Sequence, residues 1–248
     1  DILLSASQGQ KRLVMIAFKL TILRYIEFIS KRKAIVLLDD VLSELDLERQ
    51  KRLIHAVKND YQCFITATHL PDSLKLEQTN CISIEDGKIK KEENYINGLM
   101  EGVERGYYPS GKLEFEVTNK NDLRNGIERH YSEEGKLIIE APYQNDVVTG
   151  LVKRYNKDGK LEYETNYVNN KREGLSKKYY PNGRLLSQVT FKNDKEEGLM
   201  KGYSEEGKLE IEIPYLHGSV EGLVKRYDEN GKVVEQAMYK NNQEVKTK

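Results

Sequence analysis

The 248-residue sequence predicts an α/β segment followed by an all-β array of six 24-residue antiparallel hairpin repeats. Two observations predict it. Over residues 1–92, apolar positions switch between helical and strand periods in the order helix, strand, helix, strand, hairpin. Beyond Glu92, glycine recurs at positions 102, 126, 150, 174, 198 and 222, a fixed period of 24, and a tyrosine follows each one five residues later, from Tyr107 to Tyr227. A period of that length marks a stacked repeat whose units cannot bury an apolar face alone.

Each element of the first segment has its own signature. Leu13, Ile16, Ala17, Leu20 and Leu23 share one face of a helix over residues 8–30. Residues 34–38 form a short unbroken apolar run that ends on Asp39-Asp40, which suits a strand buried on both faces of a parallel sheet. A second helix over residues 47–58 turns Leu53, Ile54 and Val57 inward, and residues 61–66 read as another buried strand. Residues 81–84 and 88–90, joined by Asp86-Gly87, read as a hairpin that closes this segment, and residues 93–101 as a linker.

In the array, a second glycine stands at 111, 135, 159, 183, 207 and 231, where positive φ suits a turn. An aromatic closes the unit at Tyr143, Tyr167, Phe191, Tyr215 and Tyr239, while the first copy carries Asn119 there, as an end repeat does. Lone hairpins are marginal in water, so stacking of neighbours is expected to stabilise them, with the tyrosine columns as the core. Lys or Arg at 112, 136, 160, 184, 208 and 232 reads as a solvated hairpin edge, because acids are interspersed. "YSEEGKL" at 131 and 203 and "GLVKRY" at 150 and 222 point to duplication of a three-repeat block.

Composition narrows the function classes. Net charge is zero, and residues 93–248 hold 25 basic against 27 acidic side chains, so composition alone does not predict nucleic-acid binding. Cys63 and Cys81 lie in apolar stretches without CxxC spacing and read as buried thiols in a reducing cytoplasm. Charges at Lys19, Arg24 and Glu27 exclude a membrane span in the most apolar stretch.

A linked set of residues carries chemistry. Ser7 and Gly9 open a helix whose N-terminus suits a γ-phosphate. Asp39 at a strand end suits Mg²⁺ held through water, and Asp40 beside it suits an attacking water. Ser43 to Asp46 follows, and His69 ends the second strand, where it could contact the γ-phosphate.

"SQGQKR" at residue 7 and "LLDDVLSELD" at residue 37 resemble the C-terminal part of the RecF family of ABC-type ATPases, which act in DNA replication and recombinational repair. The resemblance covers residues 1–92 and makes the first part an α/β fragment of an ABC-type ATPase lobe. It implies that Ser7, Gln8, Gly9 and Gln10 match the signature motif and bind nucleotide, with Ser43 and Asp46 from the D-loop. It implies Asp39 as the Walker B metal residue, Asp40 as the catalytic acid and His69 as the switch residue. His69 fits ABC ATPases in general better than the RecF pattern.

G-x-x-x-x-G-K-[ST] occurs nowhere in the sequence. ATP and Mg²⁺ are therefore expected only with a partner that supplies the phosphate loop, such as a RecF-like ATPase subunit, and DNA only through that complete ATPase. From about Asn97, the G-x-x-x-x-Y…G-K-L pattern resembles the bacterial MORN-like repeats of the YwqK antitoxin family, which implies a binding array with an unknown protein partner and no membrane role. A non-enzymatic interaction protein with a relic ATPase segment is the alternative.

Overall fold

The computed structural model describes residues 7–43, 45–58, 60–69 and 79–245. The chain divides into two compact units: residues up to Thr79 with Tyr95–Leu99, and Asn80–Asn94 with Met100 onward.

The first unit is a small α/β layer. Helix α1 (Gln8–Ser30) ends on Lys31, whose positive φ of 58° places its N–H on the Glu27 carbonyl at 2.8 Å. Strands β1 (Ile35–Asp39) and β2 (Gln62–Thr66) pair in parallel, with Ile35 opposite Gln62 and Asp39 opposite Thr66. Helix α2 (Leu47–Lys58) joins them, as a parallel pair requires. Val36, Leu38, Leu42, Leu45, Leu53, Ile54, Val57 and Tyr61 form the core, and Leu13, Ile16, Leu20 and Leu23 of α1 pack against it.

The expectation of strands buried on both faces fails. Val36 and Leu38 are buried, but Ile35 and Leu37 are 64% and 69% exposed, and Phe64 on β2 is 53% exposed. One helical layer covers one face, and residues alternate along a strand, so every second apolar side chain is left facing out.

The second unit is a continuous antiparallel sheet whose strands neighbour one another in chain order. It starts earlier than the repeat spacing suggests. Strands β3 (Thr79–Glu85) and β4 (Lys88–Ile96) flank the Asp86-Gly87 turn, and β4 pairs with β6 (Gly102–Tyr107) through Lys91↔Gly106 and Glu92↔Arg105. Between them lies β5 (Leu99–Met100). Residues 93–101, expected as a linker, are therefore mostly strand: they hold the end of β4 and all of β5, and Glu101 N donates to the Asn94 carbonyl at 2.8 Å.

Each repeat contains two kinds of turn. In the first, the N–H of Gly111, φ 87°, donates to the Tyr108 carbonyl at 2.7 Å, and the equivalent bonds recur through Gly231. The second is a two-residue turn with positive φ at both positions, such as Asn121-Asp122, Asn145-Asp146 and Asn169-Asn170, the hairpin geometry that suits a right-twisted sheet. Its second side chain reaches back to the preceding repeat: Asp122 Oδ1 accepts from Met100 N at 2.6 Å, and Asn242 Oδ1 from Val220 N at 2.6 Å.

The tyrosine columns are not one core. Tyr131, Tyr155, Tyr179 and Tyr227 each donate a hydroxyl to the glutamate fifteen residues earlier, Glu116, Glu140, Glu164 and Glu212. These glutamates belong to a row that crosses the strands and alternates with bases: Arg105 pairs opposite Glu116, Arg129 opposite Glu140, Lys153 opposite Glu164 and Lys201 opposite Glu212. The opposite parity carries the buried side chains, among them Val117, Ala141 and Phe191. Arg124 and Arg172 stack on the closing aromatics Tyr143 and Phe191 at 3.9 and 4.0 Å. Asn119, the odd residue of the first repeat, is buried and donates to Glu104 Oε2 at 2.7 Å. The basic ladder also has structural contacts, since Lys136, Lys160 and Arg184 donate to carbonyls of the next turn, at Lys157, Pro181 and Glu205.

Candidate functional site

The candidate residues sit where β1 and β2 end. Parallel pairing brings Asp39 level with Thr66. Thr66 Oγ1 donates to Asp39 Oδ1 and accepts from Asp40 N at 3.0 Å, while the Thr66 carbonyl also takes the Asp40 N–H at 3.2 Å. Asp40 adopts φ 45°, a conformation that Asp tolerates better than most residues. The chain then turns away, and Ser43 Oγ donates to the Asp40 carbonyl at 3.1 Å. Arg12, one turn into α1, reaches the same carbonyl at 3.4 Å. The structure thus brings Asp39, Asp40 and Ser43 together. Both carboxylates are exposed at the C-terminal end of the parallel pair, where open α/β sheets bind ligands.

The other expected residues are placed differently. Ser7 caps α1: its Oγ accepts from Gln10 N at 3.3 Å, and Gln10 Oε1 accepts from Ser7 N at 2.8 Å. Gln8 and Gly9 lie in the first turn, and their side-chain environment, like Glu44, lies outside the described residues. Asp46 caps α2, accepting from Arg49 N at 2.9 Å, and pairs with the Arg49 guanidinium at 2.9 Å. His69 Nδ1 meets Thr68 Oγ1 at 3.4 Å. Among the described residues, no hydrogen bond joins Ser7, Asp46 or His69 to Asp39 or Asp40.

Sequence reasoning passed over three residues. Thr66 could have been found by aligning the two strand ends. Gln50 donates through Nε2 to the carbonyls of Leu42 and Leu45, at 2.8 and 3.0 Å, and so holds the loop between Asp40 and Asp46. Arg12 ties α1 to Asp40. No local sequence signal marks Gln50, and Arg12 closes the "SQGQKR" run without a sign of its contact with Asp40.

The donor set suits Mg²⁺. Carboxylates are hard oxygen ligands, and Mg²⁺ keeps most of its waters and binds phosphate, so one or two protein carboxylates suffice. Asp39 is a carboxylate of that kind, exposed at the strand end.

Comparison with known proteins separates the two units. The model of the MORN repeat variant matches residues 100–121, 124–145, 148–169, 172–193, 196–217 and 220–241, more than half of the chain. This chain belongs to the MORN repeat variant family. The MORN matches run from turn to turn, so that each contains the strand pair and the glycine turn described above. The segment before the MORN repeats is RecF-related. It is 45% identical over 85 residues to the DNA replication and repair protein RecF of Trichodesmium erythraeum, covering 34% of this chain and 22% of that protein. It is 54% identical over 67 residues to the protein of the same name in Acholeplasma laidlawii, covering 27% and 19%. The chain therefore spans about a fifth of the length of these curated relatives. A crystal structure of TarM, 20% identical over 48% of this chain and 20% of its own, aligns with a TM-score of 0.22, too low to bear on the fold. Among the described residues, no helix is long and apolar enough to cross a membrane.

Proposed function

We propose that the first unit is the signature-to-switch part of a RecF-type ABC ATPase, half of an ATP site in a protein of DNA replication and recombinational repair, and that the MORN repeats are its protein-binding array. The observation that supports this most is the placement of Asp39 and Asp40 at adjoining strand ends, in a segment 45% identical to RecF. In this reading Asp39 holds Mg²⁺ through water, and Asp40 orients and polarises the attacking water. Mg²⁺, when bound with nucleotide, supplies neutralisation of the phosphate charge. Ser7, Gln8, Gly9 and Gln10 offer the N-terminus of α1 to a γ-phosphate, with Ser43, Asp46 and His69 around it. The Ser7 hydroxyl accepts from Gln10 N and so keeps its own proton to donate to that phosphate. DNA is engaged only by the completed ATPase, and the site of action is the cytoplasm.

The chemistry also needs the triphosphate gripped, and this sequence carries no phosphate loop. The pure chain is therefore expected to show no ATP turnover. Added to a complete RecF-type subunit, it is expected to change that subunit's turnover, and Ser7→Arg to remove the change. Robust turnover by the pure chain, lost in Asp40→Asn, would overturn the half-site reading.

A second reading, a non-enzymatic MORN interaction protein with a relic ATPase segment, is favoured by the capping roles of Ser7, Gln10 and Asp46. No effect in any mixture would select it.

A further inference from the structure

The alternating row on the sheet is interrupted once in its interior. Elsewhere each interior basic pair encloses a glutamate of the array: Glu116 pairs opposite both Arg105 and Arg129, and Glu140 opposite both Arg129 and Lys153. Between Lys177 and Lys201 the same position holds Gln188, opposite Lys177 on one side and Lys201 on the other. The tyrosine column records the same break. Tyr203 is the repeat equivalent of the tyrosines that donate to Glu116, Glu140, Glu164 and Glu212, yet among the described residues it makes no such bond to Gln188.

The surroundings face outward. Lys177 and Lys201 pair with Glu164 at 3.0 Å and Glu212 at 3.7 Å, and their side chains are 34% and 38% exposed, against 16% and 15% for the glutamates. Leu175 and Leu199 stand two residues before the lysines on the same face, 44% and 45% exposed. The two lysines stand two strand spacings apart, about 10 Å, the interval that Glu116 spans between Arg105 and Arg129, each at 3.7 Å.

We propose that Lys177, Lys201 and Tyr203 around Gln188 form a slot for a carboxylate of an acidic, apolar-flanked segment of a partner protein, with Leu175 and Leu199 receiving the flanking apolar side chains. An external carboxylate there meets a lysine and a tyrosine hydroxyl, as Glu164 and Glu212 each do in neighbouring repeats, and Gln188 offers the two lysines no carboxylate beyond the glutamate each already pairs with. Two residues along an extended segment span about 7 Å, which matches the separation of the leucine and lysine positions along each strand. The proposal rests on reading the MORN array as a binding surface, and it names the part of that surface which selects the partner.

Fluorescence anisotropy on the full chain tests it, with a labelled peptide of Leu-Ser-Glu repeats, its Leu-Ser-Gln counterpart and a single-stranded oligonucleotide. The Glu peptide is expected to bind at least about tenfold more tightly than the Gln peptide, the size expected for charge-assisted hydrogen bonds. Gln188→Glu fills the slot from within and is expected to weaken the Glu peptide by a similar factor without lowering the melting temperature, and Lys201→Gln to weaken it likewise. Absence of Glu-peptide binding overturns the proposal. So does oligonucleotide binding that is tighter and equally sensitive to Gln188→Glu, which would make the slot a phosphate site. Peptide binding unchanged by Gln188→Glu leaves the array a binding surface and removes this slot from it.

Discussion

The hydroxyl of Thr66 joins two strand ends, donating to Asp39 and accepting from the Asp40 N–H. Thr66→Val keeps the shape and removes both bonds, so the first unit is expected to lose about 1 kcal/mol, read as a lower urea midpoint with an unchanged slope. A second residue-scale test lies in the array. Gly106 sits opposite Phe115, and a Cβ there would stand 2.0 Å from the ring. Gly106→Ala must push the ring aside and is expected to cost about 1–3 kcal/mol, measured by denaturant unfolding. The sequence shows a glycine at 106, but the reason for it appears only when the register places Phe115 across from it.

At the scale of the strand row, carboxylates and phenols titrate against each other. Burial alone would raise the Glu140 and Glu164 carboxyls, but hydrogen bonds from Arg129 and Tyr155, and from Tyr179 and Lys177, hold both below the usual carboxylate range. A depressed folded-state value gives stability that is present above the unfolded pKa and lost as pH falls through the folded one. Tyr179 is pushed the other way, to about 12, by burial and by its bond to Glu164. That stability is complete below the ordinary tyrosine value and lost as pH rises through about 12. The array is thus expected to melt at progressively lower temperature at both acid and alkaline pH. Near-ultraviolet circular dichroism can follow it, since 14 of the 16 tyrosines lie beyond residue 92 and there is no tryptophan. A flat melting temperature across the carboxylate range would show that the row contributes nothing.

At the scale of the whole chain, the units differ in how completely they bury apolar surface. The first leaves Ile35, Leu37 and Phe64 exposed on the sheet, and Phe18, Tyr25 and Phe28 on α1. A helix that is apolar all round normally lies inside a larger protein. The RecF relatives, of which this chain spans about a fifth, have the further length that such faces require. Two thermal transitions are therefore expected in the intact chain, the lower one accompanied by binding of a hydrophobic dye and assigned to the first unit by loss of helical ellipticity. Loss of the helical signal above the transition of the array would contradict this order.

Sequence alone determined the repeat period, the turns at Gly111 and its equivalents, both helices and the helix–strand order, because each depends on local periodicity or on a φ that glycine favours. It also showed Asp39, Asp40 and Ser43 as a group, since they are close along the chain. It did not show that Thr66 completes that group, that Ser7 and Asp46 cap helices, or that β3 and β4 begin the sheet. Nor could it divide the tyrosines between two faces, or give Gln188 meaning, because a one-residue change of register exchanges the faces of a strand and only pairing fixes which side chains meet. Those outcomes depend on contacts between residues far apart in the chain, which only the tertiary structure decides.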